Sequence, residues 1–284
     1  MCIRDRFWGD LSPQVMQSSV ADLKKQMSDA QKKMGVTLSL YEDASDYFLF
    51  YSDLPAREAR QWAGLLDEMY DRLCDIFAIE RGTNIFRGRC LIVVFARERD
   101  YHRFHRAVYG FDSTGSAGLC RSFNNGHAEV TFYRQANQLN FARVLVHEAV
   151  HAFLHRYRSY PRIDSWINEG LAEYVSAALV EGKGFGTSDF AQRVELGVRA
   201  MRFYKSLGGN AFFYEHGLEG WQYPVAQLLT EFMIKQSKKR YRAFITAIKD
   251  GKKWDKALAE DYGIPLERLV DAFGRSHKIP DLKP

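Results

Sequence analysis

The chain has 284 residues, of which 46% are hydrophobic and 26% are charged. This is the composition of an ordinary folded protein with one large domain or two small ones, and it excludes disorder as the main state. The 40 Lys and Arg residues against 35 Asp and Glu residues give a net charge of +5. These charges are scattered and form no basic stripe with interleaved aromatic residues, so the sequence predicts no nucleic-acid partner.

The longest apolar run is CLIVVFA at residues 90–96. It is far shorter than the roughly 20 residues that cross a bilayer, so the sequence predicts no membrane span. The four cysteines lie at positions 2, 74, 90 and 120. They lack CxxC spacing and are too sparse for a disulfide scaffold, so we interpret them as buried thiols with at most one disulfide.

The first ten residues carry charges where the apolar segment of a signal peptide would begin. Residues 1–6, MCIRDR, are typical of artificial starts in assembled sequences, so they leave the localisation of the protein open. Met, Val and Leu recur at loose helical spacing over residues 11–34. We therefore expect residues 1–35 to form a helical extension that packs at the periphery.

The first half of the chain alternates strand and helix signals. Residues 36–55 predict two short strands with a turn near 42–45, and residues 56–79 predict an amphipathic helix. Residues 90–96 are apolar throughout, which predicts a central strand. A short helix at 100–108 and a hairpin at 117–133 follow, because Asn-Asn-Gly at 124–126 is a tight-turn signal.

The second half of the chain is helical. We predict helices at 138–157, 168–181, 188–206, 221–237, 239–249, 253–261 and 265–275, with Gly-rich breaks at 182–188 and 208–220. Strands early and helices late indicate the α+β class. We expect one unit over 36–276, with a sheet-containing lobe at 36–157, a helical lobe at 158–276 and a tail at 277–284.

Residues 147–151 read His-Glu-Ala-Val-His within the helix predicted at 138–157. Positions i and i+4 lie on one helix face about 6 Å apart, so His147 and His151 can reach the same zinc ion. Glu148 projects beside that ion, where its carboxylate can hold and deprotonate a bound water. The competing interpretation is a helix that carries two solvated histidines.

A catalytic zinc needs a third protein ligand and an open fourth position. Downstream, residues 166–174 read WINEGLAEY, with Glu169 and Glu173 on one helix face. With Glu169 as a ligand, Glu173 lies one turn further on, where it can accept the outer N–H of His147. The small Gly170 and Ala172 let this helix approach the first one closely. The competing interpretation is an acidic helix start favoured by the helix dipole.

HEAVH followed by WINEGLAEY resembles the gluzincin group of zinc metallopeptidases, and more narrowly the peptidase MA-like domain family. The similarity covers residues 132–180. It implies a zincin-like fold and one Zn²⁺ ion held by His147, His151 and Glu169. It also implies that Glu148 is the general base, which moves a proton from water to the leaving amine, and that Glu173 supports a ligand histidine.

Peptide hydrolysis passes through an oxyanion, which a donor besides the metal helps to stabilise. Tyr223 is our candidate, because similar gluzincins place a tyrosine in this region; His216 is the alternative, and a packing role for Tyr223 stays open. The resemblance further implies that the strand at 127–133 lines the cleft and pairs with the substrate backbone. His155 lies too far along the helix from His147 to share the ion, so we interpret it as a packing residue.

WINEGLAEY is also similar to aminopeptidase N relatives, but the chain lacks their Gly-Ala-Met-Glu-Asn exopeptidase signature. This disfavours an aminopeptidase that reads a free N-terminal amine, while the sequence does not predict whether the enzyme is an endo- or an exopeptidase. The sequence therefore predicts a zinc metallopeptidase that acts on a peptide or protein substrate. The alternative of another class is a zinc-holding binding or scaffolding domain without catalysis. We expect the specificity pockets at residues 182–220. The resemblance favours a secreted or periplasmic location, and the oligomeric state is not predicted.

Overall fold

The computed structural model describes residues 8–9, 11–181, 183, 185 and 190–284. Mixed α and β structure is confirmed, with a five-stranded sheet early in the chain and helices after it. The described chain divides into two compact units, one over Trp8–Tyr157 and one over Arg158–Pro284. The predicted loop at 182–188 lies largely outside the described residues.

The first unit contains the sheet. Its strands are β1 (Ser39–Leu40), β2 (Phe48–Ser52), β3 (Cys90–Phe95), β4 (Gly118–Ser122) and β5 (Ala128–Tyr133), and its helices are α1 (Pro13–Met34), α2 (Ala56–Phe77), α3 (Glu98–Phe104) and α4 (Gln138–Arg156). The strand order is β1-β2-β3-β5-β4. The three inner strands run parallel and the two outer ones antiparallel.

Strand β3 is central, as its apolar run predicts. All six of its residues are buried, which fits a parallel strand covered on both faces. The predicted hairpin is also confirmed, with Gly126 at φ 86° in the tight turn between β4 and β5. The expectation that the strand at 127–133 offers its edge to a substrate is wrong, because β5 pairs with β3 on one side and β4 on the other. In the described part of the first unit, β4 is the outer strand at this end.

Helix α1 belongs to the core of the first unit. Ser12 caps it by accepting a hydrogen bond from the Val15 N–H, and Gly35 ends it in the left-handed conformation. Its buried residues Leu23 and Met27 join a cluster with side chains of β2 and β3. Residues 13–34 are therefore helical as predicted, but they are not a peripheral extension, because their apolar stripe covers one face of the sheet.

The second unit is helical. It contains α5 (Ser165–Val180), α6 (Phe190–Tyr204), α7 (Asn210–Phe213), α8 (Gln222–Gln236), α9 (Lys238–Lys249), α10 (Trp254–Ala257) and α11 (Leu266–Ser276). Every helix predicted for this region is present, and α7 adds a single turn inside the predicted Gly-rich break. Trp166 of α5 forms its aromatic centre with Phe213, Phe244 and Trp254.

Gly170 explains how α5 is positioned within the second unit. A Cβ atom at Gly170 would lie 2.6 Å from the Ala226 carbonyl oxygen and 2.5 Å from Thr230 Oγ1, both on α8. These distances are shorter than van der Waals contact, so only glycine permits the observed approach of the two helices. The small residues of WINEGLAEY were expected to admit the HEAVH helix; within the second unit, Gly170 admits α8.

A buried lysine joins the start of the second unit to the end of α9. Lys249 is 1% exposed. Its Nζ donates a hydrogen bond to the Pro161 carbonyl (2.9 Å), and Ser159 Oγ donates to the Lys249 carbonyl. Burial lowers the pKa of Lys249 to about 7, because the interior disfavours the charged ammonium.

We therefore expect a pH-dependent stability that Lys249→Met removes. Between pH about 7 and about 10 the unfolded chain holds the Lys249 proton more tightly than the folded one, so the free energy of unfolding rises with pH. The rise from this group is at most about 1.4 kcal/mol per pH unit. Urea unfolding measured at several pH values across that range gives the slope of the free energy of unfolding against pH. This slope should be smaller in Lys249→Met than in the wild type, and it should be unchanged in the exposed control Lys256→Met. Equal slopes in all three proteins would contradict the assignment.

Candidate functional site

The HEAVH motif lies in the middle of α4. Asn137 caps this helix by accepting a hydrogen bond from the Asn140 N–H. Leu145, Val146 and Ala149 are buried, whereas His147 and His151 are only half-buried. The Nε2 atoms of His147 and His151 lie 3.1 Å apart, with the two rings at 89° to each other. The helix therefore brings the two predicted ligand nitrogens to one point.

This separation fits a shared metal ion. Two nitrogens at about 2.0–2.1 Å from a tetrahedral zinc would lie about 3.3 Å apart. The observed 3.1 Å is close to that value. Two neutral imidazoles whose Nε2 lone pairs converge can both donate to one cation. The residues present in α4 thus fit a zinc ion, with two of the three protein ligands that a catalytic site needs.

The Glu148 carboxylate is held by the backbone of the outer strand. Its Oε2 accepts a hydrogen bond of 2.9 Å from the Cys120 N–H of β4. The neighbours of Cys120 in sequence form the backbone hydrogen bonds between β4 and β5. Because the direction of backbone groups alternates along a strand, the N–H and C=O groups of Cys120 point away from β5. Sequence reasoning did not identify Cys120 as a partner of Glu148, although the alternation of N–H direction along an edge strand is a signal for such a donor.

Cys120 is not a candidate nucleophile. Burial, and then the neighbouring Glu148 charge, raise the pKa of its thiol, so the sulfur keeps its proton at neutral pH. Burial raises the pKa of the Cys90 thiol in the same way. Cys74, Cys90 and Cys120 are free thiols, in agreement with the sequence interpretation, and Cys2 lies outside the described residues.

The two carboxylates of WINEGLAEY lie one turn apart on α5. Glu169 is half-buried and Glu173 is 6% exposed. Glu173 Oε1 accepts a long hydrogen bond of 3.4 Å from Arg193 Nη2 of α6. The sequence predicted that Glu173 supports His147, which stays a prediction. The Arg193 contact was not foreseen, because that residue belongs to no motif.

The remaining candidates occupy the expected elements. Tyr223 lies half-buried in the first turn of α8, and His216 is exposed in the loop before it. His155 Nε2 lies 3.2 Å from the Phe123 carbonyl oxygen, and its ring packs edge-on against Trp8 at 5.5 Å. His155 is therefore a packing residue, as predicted. The oxyanion role of Tyr223 stays a prediction.

Comparisons with known proteins do not assign this chain to a family. A scan against protein-family models gives no match, and a search of curated proteins finds no similar chain. Among the described residues, no helix is both long and apolar enough to cross a membrane.

Proposed function

We propose that this chain is a zinc-dependent peptidase of the gluzincin type with a zincin-like fold, and that His147, His151 and Glu169 hold one Zn²⁺ ion. The observation that carries the proposal is the 3.1 Å separation of the two histidine Nε2 atoms on α4. Two imidazoles and a carboxylate are the ligands of a common kind of catalytic zinc.

Bound zinc would supply Lewis acidity, polarising the scissile carbonyl and lowering the pKa of water. Glu148 is the base in this proposal: it accepts the proton of the attacking water and passes it to the leaving amine. The hydrogen bond from the Cys120 N–H to Oε2 leaves Oε1 as the oxygen for that proton. Glu173 would orient a ligand histidine, and Tyr223 would donate to the oxyanion.

Strand β4 is the surface we propose for the substrate backbone. The backbone N–H and C=O groups of Gly118, Cys120 and Ser122 point away from β5. The residues that alternate with these three along β4 form the hydrogen bonds to β5. An extended peptide can add to such an edge as a further strand. The Cys120 N–H is already bonded to Glu148, so the peptide would pair beside the general base.

The test is chelator-sensitive cleavage of peptides with blocked N-termini. We expect the purified chain to cleave within such peptides, to lose more than about 99% of its activity after zinc removal, and to recover it when zinc is restored. Stoichiometric zinc without cleavage of any peptide in a diverse library would favour a zinc-holding binding domain. Cleavage only of peptides with a free N-terminus would favour an aminopeptidase N-like exopeptidase.

A further inference from the structure

The second unit contains an apolar groove between α6 and the start of α8. Its volume is about 570 Å³, within the range of about 300–1,000 Å³ that is usual for ligand sites. Its apolar wall consists of Leu196, Ala200, Phe203, Tyr204, Trp221 and Pro224. Phe203 is 82% exposed and Leu196 is 58% exposed, which is unusual for large apolar side chains on one helix face.

The groove exists because of how the two helices approach each other. A Cβ atom at Gly197 would lie 3.1 Å from Pro224 Cγ, so α6 and α8 pack closely at that point. The rings of Tyr204 and Trp221, which also line the groove, contact each other with their centroids 5.2 Å apart. Leu196, Ala200 and Phe203 recur at helical spacing along α6 and line the groove.

One residue of the groove, Arg193, contacts the acidic pair of α5. Arg193 lines the groove and also donates to Glu173, one helical turn from the proposed ligand Glu169. Pro224 of the groove directly follows Tyr223, the proposed oxyanion donor. Two separate residues of the groove therefore adjoin residues of the proposed catalytic site within this unit.

We infer that this groove binds a bulky apolar side chain of a peptide substrate, an inference that rests on the proposed peptidase function. Arg193 and Arg199 also line the groove, and each already pairs with one carboxylate of this unit, Glu173 and Glu195 respectively. Each guanidinium has five N–H donors, more than one such pair uses, so donors remain for the backbone carbonyls and carboxylates of a bound peptide. Nine of the residues that the structure describes line the groove, whereas a stable dimer interface takes about 20–30 residues a side. A peptide with an aromatic residue and an acidic neighbour fits these features better than a second copy of the chain.

The test measures peptide binding separately from cleavage. Two labelled, N-terminally blocked octapeptides carry Glu beside either Phe or Ala, and fluorescence anisotropy gives their dissociation constants with the full chain. We expect the Phe peptide to bind at least about tenfold more tightly than the Ala peptide. Phe203→Ala should abolish this preference, and Tyr214→Ala, an exposed aromatic outside the groove, should keep it.

Equal affinity for the two peptides, or an unchanged preference in Phe203→Ala, would overturn the inference. So would a wild-type dimer at micromolar concentration that Phe203→Ala converts to a monomer, because a second copy would then cover the groove. The two proposals fail separately. A chain that prefers the Phe peptide but cleaves neither peptide would support binding in the groove and contradict the proposed peptidase activity. Cleavage without a preference for the Phe peptide would support the peptidase activity and contradict binding in the groove.

Discussion

Glu148→Gln is expected to lower kcat/KM for peptide hydrolysis about 1,000-fold while zinc stays bound. The amide has nearly the shape of the carboxylate, and its oxygen can still accept the Cys120 N–H. It cannot take a proton from water at neutral pH, so the step that we assign to Glu148 is lost while His147 and His151 are untouched. Initial rates on a cleaved peptide, with zinc content measured on the same samples, check this prediction.

The control for Glu148→Gln is Glu80→Gln, the same change at an exposed glutamate of the first unit. Glu80→Gln should keep the wild-type rate and zinc content. Full activity in Glu148→Gln would show that this residue is not the base. Loss of zinc together with activity would show instead that its carboxylate helps to hold the metal, which the proposal excludes.

Glu169→Ala is expected to weaken zinc binding by more than about 100-fold. Changes at residues that only orient metal ligands cost about 10–100-fold, so removal of a direct ligand should cost more. Competition with a chromophoric zinc chelator measures the affinity without any need for catalysis. His147→Ala and His151→Ala should show losses at least as large, because each removes one of the two converging nitrogens.

Two further glutamate variants in the same region give zinc affinities for comparison with that of Glu169→Ala. Glu173→Ala should weaken zinc binding only about 10–100-fold if its carboxylate orients a ligand histidine. Glu181→Ala, at the exposed residue directly after α5, should leave the affinity unchanged. A Glu169→Ala protein that binds zinc as tightly as the wild type would remove Glu169 from the ligand set, even if the histidine pair still binds metal.

Much of the secondary structure was predictable because its signals are local. The apolar run of β3, the Asn-Gly turn of the β4–β5 hairpin and the helical periodicity after residue 137 each depend on neighbours in sequence. The convergence of His147 and His151 was predictable for the same reason. The spacing i to i+4 within one helix sets their relative position, whatever the rest of the chain does.

The expectations that failed concerned contacts between distant residues. The strand at 127–133 has the composition of an edge or an inner strand equally well, and only the pairing order makes β4 the outer one. The sequence of α1 predicts a helix, but its burial depends on the sheet face that it covers. Gly170 indicates that another element packs closely against α5, but the sequence does not show which one; within the second unit it is α8.

By itself, the sequence determined the class of secondary structure, the converging histidine pair and the position of Glu148 beside it, since helix geometry alone sets these. Only the tertiary structure decided that the Cys120 N–H holds Glu148, that Arg193 contacts Glu173 and that α6 and α8 enclose an apolar groove. The physical reason is that these contacts join residues far apart in the chain. Packing between elements selects them, and no local spacing encodes which side chains will meet.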